Sequence, residues 1–446
     1  MEKAAVTSVC WVPKGKCKPR SSGQDEDGGK EEMHGAAASS SAAVDANTEG
    51  LEEFNLDTYD DEEDGGLQFF QVLKADSELA KEPDPFMKGN PDSDSDSEED
   101  LEIHADDQVF IAASCEEEVC NLELYIFDAD EASMYVHHDI MLDAYPLCIE
   151  WLSSTASLGE GNFGAVGLID HTILIWDLDD MDANIEPCLM LGEKKKKKTA
   201  KNKARRKKAL EVTPGPKAHD GPVLCLHSSI FNRSVLASGS GDNTLKVWDV
   251  SSNACVHNYE HHSNKVQCAR WHPTEQAVLL TAAFDRRLSL LDVRQPGQVA
   301  WAPLVAEAES AVWSRHRPFE CLTSVDNGFL TCYDVRKVAN KSPPEEMALW
   351  SMQAHDVACT TVQDTPAPNC LVTAGLDGIA KVWEAPGTVP RLVFEKNLQA
   401  GPIFASHSNS EAPALLCFAG SCPVMWDLSS EQVLTSCFKL DGGSAS

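Results

Sequence analysis

The chain has 446 residues, with 37 Lys plus Arg against 71 Asp plus Glu, a formal net charge of -34 and 16 cysteines. It shows no secretory signal and no run of about 20 apolar residues, and its cysteines are scattered rather than framed, which argues against secretion, membrane insertion and a disulfide scaffold. A reducing compartment is expected, with Cys268, Cys332, Cys359 and Cys417 acting as small hydrophobes in strand patterns.

The first element is VTSVCWVP at 6–13, an apolar pattern that ends on a bulky residue and reads as a strand. Residues 14–107 follow, and within them 21–107 hold 28 acids against four lysines. Too few apolar groups are present to offset chain entropy while like charges repel, so disorder is expected. Ser93, Ser95 and Ser97 stand there in PDSDSDSEED, with Asp96 and Asp100 three residues beyond Ser93 and Ser97. This resembles an acidophilic site of the casein kinase 2 type, and each phosphate would add about -1.5 to -2 of charge. An unmodified solubilising tail is the alternative.

Three strand-like runs come next: VFIAAS at 109–114, NLELYIFD at 121–128 and SMYVHHDI at 133–140. With the N-terminal strand they would form one sheet, which makes the acidic segment an excursion inside it. The doublet His137-His138 before Asp139 invites a metal or acid/base role. Strand alternation sends neighbouring side chains to opposite faces, so the pair is read as surface and packing residues.

Further on, an aromatic or apolar residue followed by an acid returns at nearly even intervals. The pairs are Trp176-Asp177, Trp248-Asp249, Trp383-Glu384 and Trp426-Asp427, with Phe127-Asp128, Leu291-Asp292 and Tyr333-Asp334 in the gaps. From Trp248 the steps are 43, 42, 50 and 43 residues, close to the roughly 40 to 45 of a four-stranded propeller blade. The step of 72 before Trp248 holds a basic insertion at 193–217. Its core, 194–208, comprises Lys194, Lys195, Lys196, Lys197, Lys198, Lys201, Lys203, Arg205, Arg206, Lys207 and Lys208 among fifteen residues. It reads as a nuclear import signal and as a sequence-blind, salt-dependent nucleic-acid contact. A solvated charged loop is the bland reading.

Within the repeats, Asp170, Asp242, Asp285 and Asp377 stand six residues before the pair. Ser238, Thr281 and Thr373 lie four residues earlier again, and His219, His262 and His355 precede the opening strand. Such a His, Ser/Thr, Asp and Trp set, with Trp248 and Trp383 as its aromatic members, would form a buried structural chain of hydrogen bonds, each contributing about 1 kcal/mol. Departures occur at Leu291, at Asn327 in a unit that lacks histidine, and at Gly420.

This pattern resembles the WD40 family. The resemblance implies an all-β, seven-bladed WD40 β-propeller at 108–440, joined by the strand at 1–13, interrupted by 193–217 and followed by a tail at 441–446. The ring would close where the N-terminal strand meets the last blade, since an open array leaves strand edges unpaired.

Stretches outside the repeats narrow the resemblance: EEFNLDTYDDEE at 52–63, YVHHDIMLDAYPLCIEWL at 135–152, WDLDDMDANIEP from 176 with its lysine tract, and WHPTEQAVLLTAAFDRRLSLLDVR at 271–294. They are similar, in the same order, to one branch of that family. What the branch implies is a non-enzymatic nuclear and nucleolar protein acting in large-subunit ribosome assembly, rRNA processing and ribosomal gene chromatin. Its partners would be pre-ribosomal proteins and rRNA, with histones and ribosomal DNA chromatin as further candidates, and the chain a monomer within a larger complex. No cofactor, metal or membrane is expected.

Two other readings stay open. Asp292-Val293-Arg294 and Asp334-Val335-Arg336 resemble the D-x-R ending by which substrate receptors meet the adaptor of a cullin-type ubiquitin ligase. A histone-binding chromatin regulator is the other. An enzyme fits poorly, because no phosphate loop, nucleophile elbow or zinc-protease helix is present, and it would need ionisable groups converging on the central channel.

Overall fold

The computed structural model describes residues 5–17, 103–104, 107–117, 119–128, 133–155, 159–179, 186–192, 218–295 and 297–440. The segment 18–102 with its three serines, the basic run 194–208 and the tail 441–446 lie outside them.

Among the described residues, seven antiparallel sheets follow one another along the chain, six with four strands and the last with three. This is the all-β, seven-bladed propeller expected from the repeats. The first blade is Ala5–Val12, Gln108–Glu116, Val119–Asp128 and Ser133–Leu142, innermost to outermost. The second is Pro146–Thr155, Gly159–Leu168, Ile173–Asp177 and Leu189–Leu191. Innermost strands of the other five are Val223–Ser228, Val266–Trp271, Ala308–Trp313, Thr361–Asp364 and Ala405–Ser408.

Each blade is covered on both faces by its neighbours, and its sequence shows it. The second strand of the first blade, QVFIAASCE, is buried along nearly all its length, whereas the outermost strand, SMYVHHDIML, is largely exposed. Apolar side chains gather at the seams. Ile111, Leu122 and Leu124 meet Ile149, Val166 and Trp176 between the first two blades. Val6, Val9, Trp11 and Phe110 meet Leu415, Cys417 and Ala419 between the first and the last.

That last seam closes the ring. The N-terminal strand pairs with Gln108–Glu116 from Ala5 to Val12 and so lies innermost in the first blade. Its other contacts reach the last blade: the Val6 N–H donates to the Gly420 carbonyl at 2.7 Å, the Trp11 N–H to His407 Nδ1 at 2.9 Å, and the Trp11 indole to the His407 carbonyl at 3.0 Å. Closure is therefore face-to-face packing, not addition of a fourth strand to the last blade. In place of that strand the chain runs through a helix, Gln432–Phe438, whose Leu434 and Phe438 pack with Val372, Val382 and Trp426.

The uneven repeat steps have a local cause. Two short helices, Val335–Ala339 and Pro344–Met347, fill the connection before the strand Ala348–Gln353 and lengthen the step from Tyr333 to Trp383. The cysteines Cys268, Cys332, Cys359 and Cys417 are buried as free thiols. Cys115 and Cys120, directly opposite across a hairpin, form a disulfide. This departs from what a reducing compartment leads one to expect, and the reason is local: the hairpin register sets the two side chains face to face.

Deleting residues 1–13 removes an innermost strand and one side of the closing seam. The melting temperature followed by circular dichroism is expected to fall by at least about 5 °C, and an unchanged melt would show that the ring closes without this strand.

Candidate functional site

The sequence singled out the repeat tetrads, and the structure assembles them at the turns between the second and third strands. In the third blade the Trp248 indole N–H donates to Ser238 Oγ at 2.8 Å, Ser238 Oγ lies 2.6 Å from His219 Nε2, and His219 Nδ1 lies 3.0 Å from Asp242 Oδ2. Because Ser238 Oγ accepts from the indole, its own proton goes to Nε2, and the ring proton is on Nδ1 facing the carboxylate. Asp242 also accepts from the Thr244 N–H and hydroxyl and from the Asp220 N–H. The same chain is complete in the sixth blade: Trp383 to Thr373 at 2.9 Å, Thr373 to His355 at 2.9 Å, and His355 to Asp377 at 2.8 Å.

Elsewhere the set is truncated in ways that follow from its chemistry. In the fourth blade His262 reaches both Thr281 (2.9 Å) and Asp285 (3.0 Å), but Leu291 offers no indole. In the fifth, Asn327 Oδ1 accepts the Phe329 N–H at 3.3 Å, so it performs the turn task of the aspartate with no histidine to bind. Gly328 beside it has φ +81, and a Cβ there would lie 2.0 Å from the His355 carbonyl, so only glycine fits. Asp170 in the second blade holds the Thr172 N–H and hydroxyl, while among the described residues the buried Trp176 and Trp426 indoles meet no acceptor.

Burial holds His219, His262 and His355 below the usual imidazole range even though their aspartates pull the other way. Burial alone would raise Asp242, but the hydrogen bonds from His219 and Thr244 outweigh it and hold the carboxyl low. These groups are rigid, neutral or satisfied, and positioned to fix turns. Their chemistry is structural.

The His137-His138 pair corrects the alternation argument. The register between the third and fourth strands slips between Leu124 and Tyr125, so that His138 and Val136 face them and His137 is the extra residue of a β-bulge. Nδ1 of one ring lies 2.8 Å from Nδ1 of the other. Burial and the neighbouring ring push His138 down to about 4. Among the described residues no group of three or more His, Cys, Asp and Glu could hold a metal.

The two D-x-R arginines fold back on their own aspartates. Arg294 grips Asp292 at 2.5 Å, and Arg336 grips Asp334 at 2.8 Å while lying over the Phe319 ring at 4.7 Å. Both guanidiniums are largely exposed and already paired, the geometry of an ordinary surface ion pair.

What the sequence reading missed is the centre of the ring. Near the ends of the innermost strands, Cys10, Glu150, His227, Arg270, Gln363 and His407 line the channel. The signal was present as polar residues at one recurring place in apolar strands. Indoles on the next residue staple blades together, Trp271 to the His227 carbonyl at 3.1 Å and Trp313 to the Arg270 carbonyl at 3.0 Å. Glu150 Oε1 accepts both the N–H (2.8 Å) and the hydroxyl (2.7 Å) of Ser228. Burial raises the Cys10 and Cys225 thiols far above the range of a nucleophile and raises Glu150 as well. Burial and Arg270 lower His227, and the same two causes bring His407 to about 3. Ionisable groups do converge here, but among the described residues no thiol of this level bonds to a histidine.

Comparison with known proteins places these features. The family model described as "WD domain, G-beta repeat" matches residues 212–249, 253–292 and 347–384. An uncharacterised WD repeat-containing protein of Schizosaccharomyces pombe is 30% identical over 87% of this chain and 76% of its own length. Periodic tryptophan protein 1 of Saccharomyces cerevisiae is 29% identical over 87% of this chain and 77% of its own, and its Drosophila melanogaster homologue 29% over 85% and 78%. A chain of the solved mitotic checkpoint complex shares the fold, with a TM-score of 0.52 and 16% identity, over 72% of this chain and 84% of that one.

Two measurements test the structural assignments. Ser238→Ala leaves the Trp248 indole and His219 Nε2 unpaired in the core and is expected to cost about 2 kcal/mol in chemical unfolding, against less than about 0.5 kcal/mol for Ser252→Ala at the surface. The lowered histidines predict the sign of the pH response. Below about pH 6.5 the unfolded chain takes up protons that the folded one refuses, so stability is full above that pH and falls as pH drops. Between pH 7 and pH 5, His407 alone should contribute a loss of about 1–2 kcal/mol; a melt that is flat over this interval would contradict neutral, buried rings.

Proposed function

The chain belongs to the WD-repeat family of periodic tryptophan protein 1, and on that premise we propose that it is a non-enzymatic nuclear and nucleolar scaffold for ribosome assembly. In this reading it serves large-subunit maturation and rRNA processing, with a further role at ribosomal gene chromatin. The propeller supplies a rigid ring with several faces. The lysine run 194–208 supplies import and contact with RNA phosphates, and the acidic segment, phosphorylated at Ser93, Ser95 and Ser97, engages basic pre-ribosomal proteins or histones. Among the described residues no helix is long and apolar enough to cross a bilayer.

The observation that carries this reading is the extent of the similarity. It spans 85–87% of the chain, well beyond the repeat units matched by the general family model. Charge fits the same reading: eleven of fifteen residues in one insertion are basic, and eleven phosphate contacts would give steeply salt-dependent, sequence-blind binding.

Crosslinking to RNA in cells, with and without residues 194–208, is the test. Ribosomal RNA precursor fragments should be recovered with the full chain and reduced at least tenfold without the run. Recovery of nucleosomal DNA alone would move the assignment to chromatin, and co-purification of a cullin ligase adaptor, abolished by Arg294→Ala and Arg336→Ala, would replace it.

A further inference from the structure

The channel level formed by Cys10, Glu150, His227, Arg270, Gln363 and His407 carries donors without protein partners among the described residues. Arg270 offers five N–H donors in a planar fork, and its guanidinium lies near the Cys268 thiol. Among the described residues no carboxylate forms an ion pair with it; Glu150 acts on it only from a distance. His227 accepts the Trp271 N–H at Nδ1 (3.1 Å), and His407 accepts the Trp11 N–H at Nδ1 (2.9 Å). Each ring therefore keeps its proton on Nε2, where among the described residues no protein acceptor meets it.

The side-chain oxygens at the same level belong to the Glu150 carboxyl and the Gln363 amide. Glu150 Oε1 is filled by Ser228 from two directions. Gln363 Nε2 donates to the Ser406 carbonyl at 2.7 Å, and the Cys10 thiol faces the Trp11 carbonyl at 3.7 Å. A half-buried guanidinium that lacks a hydrogen-bonded counterion has donors left to offer to an anion.

Space is available on both sides. A cavity of about 440 Å³ lies toward the mouth lined by Tyr145, Leu376 and Phe404. Another of about 410 Å³ lies toward the opposite mouth, near Arg233 and Glu411. Cys10, Glu150, Arg270 and His407 line both, so this level is the waist between them. Volumes of this size are those of small-ligand sites.

We propose that the waist of the channel binds one oxyanion, a phosphate or a carboxylate, with Arg270 as its bidentate donor and the Nε2–H groups of His227 and His407 beside it. Planar, two-point recognition of such groups is what arginine does better than lysine. The site is built from residues of the ring and includes none from the charged segments, so it stands whether or not those segments bind RNA.

The test is a thermal-shift titration of the full-length chain with inorganic phosphate, with sodium chloride at matched ionic strength as reference and sodium acetate as a second arm. A saturable rise in melting temperature is expected, about 2 °C at tenfold excess over half-saturation. A response to phosphate but not acetate names a phosphate ligand, and the reverse names a carboxylate. Arg270→Gln should weaken the response at least tenfold, and deletion of 194–208 should leave it unchanged. No saturable rise with either anion, an equal rise in Arg270→Gln, or loss of the response on deleting the lysine run would each overturn the site. Should Arg270→Gln fail to fold, crystals of the unaltered protein soaked in tungstate decide: metal density beside Arg270 supports the site, and an empty waist refutes it.

Discussion

A propeller blade has two apolar faces, and neither can be left in water. That constraint governs the molecule. Strands such as Gln108–Glu116 are buried on both sides, so each sheet depends on the sheets before and after it, and the array is stable only when the last sheet meets the first. Here the closing contact is made by Val6, Val9 and Trp11 against Leu415, Cys417 and Ala419. Three backbone or indole bonds, to Gly420 and His407, set its register. An eight-residue strand at the N-terminus thus completes a sheet whose other members begin near residue 108.

The tetrads act on a smaller scale. In the third and sixth blades, a continuous path of hydrogen bonds runs from indole to hydroxyl, imidazole and carboxylate, and locks a hairpin turn to the strand that enters the blade. Truncated versions survive because seam packing supplies most of the stability and because parts of the path can be filled separately. Asn327 with Gly328 forms the turn unaided. Leu291 keeps its place in the seam by apolar burial alone. A repeat can lose its polar signature and remain a blade.

At the ring's centre the physics changes. Innermost strands meet around a channel rather than another sheet, so polar side chains there cost less than they would in a seam. A guanidinium, a carboxyl, two imidazoles and an amide occupy equivalent strand positions in different blades. Depressed histidines and raised thiols make this level a poor place for nucleophilic or acid-base chemistry and a suitable one for binding. The family relationship agrees with a scaffold, which needs a rigid ring and places to hold others.

Periodicity determined the fold class, because the spacing of Trp248, Leu291, Tyr333, Trp383 and Trp426 reflects a physical unit of four strands that cannot bury its faces alone. The same logic made His219, Ser238, Asp242 and their counterparts legible, since each residue type is fixed by one bond it must make. Three things depended on the tertiary structure. A bulge turned His137 toward His138, which no alternation rule foresees, because the extra residue is defined only by the partner strand's register. The sequence already led one to expect the N-terminal strand in the first blade and the closure against the last, whereas the mode of closure, face-to-face packing fixed by bonds to residues some 400 positions away, came from the tertiary structure. The channel level brought together Cys10, Glu150, His227, Arg270 and His407, which are scattered through the chain and become neighbours only because seven strands converge on one axis.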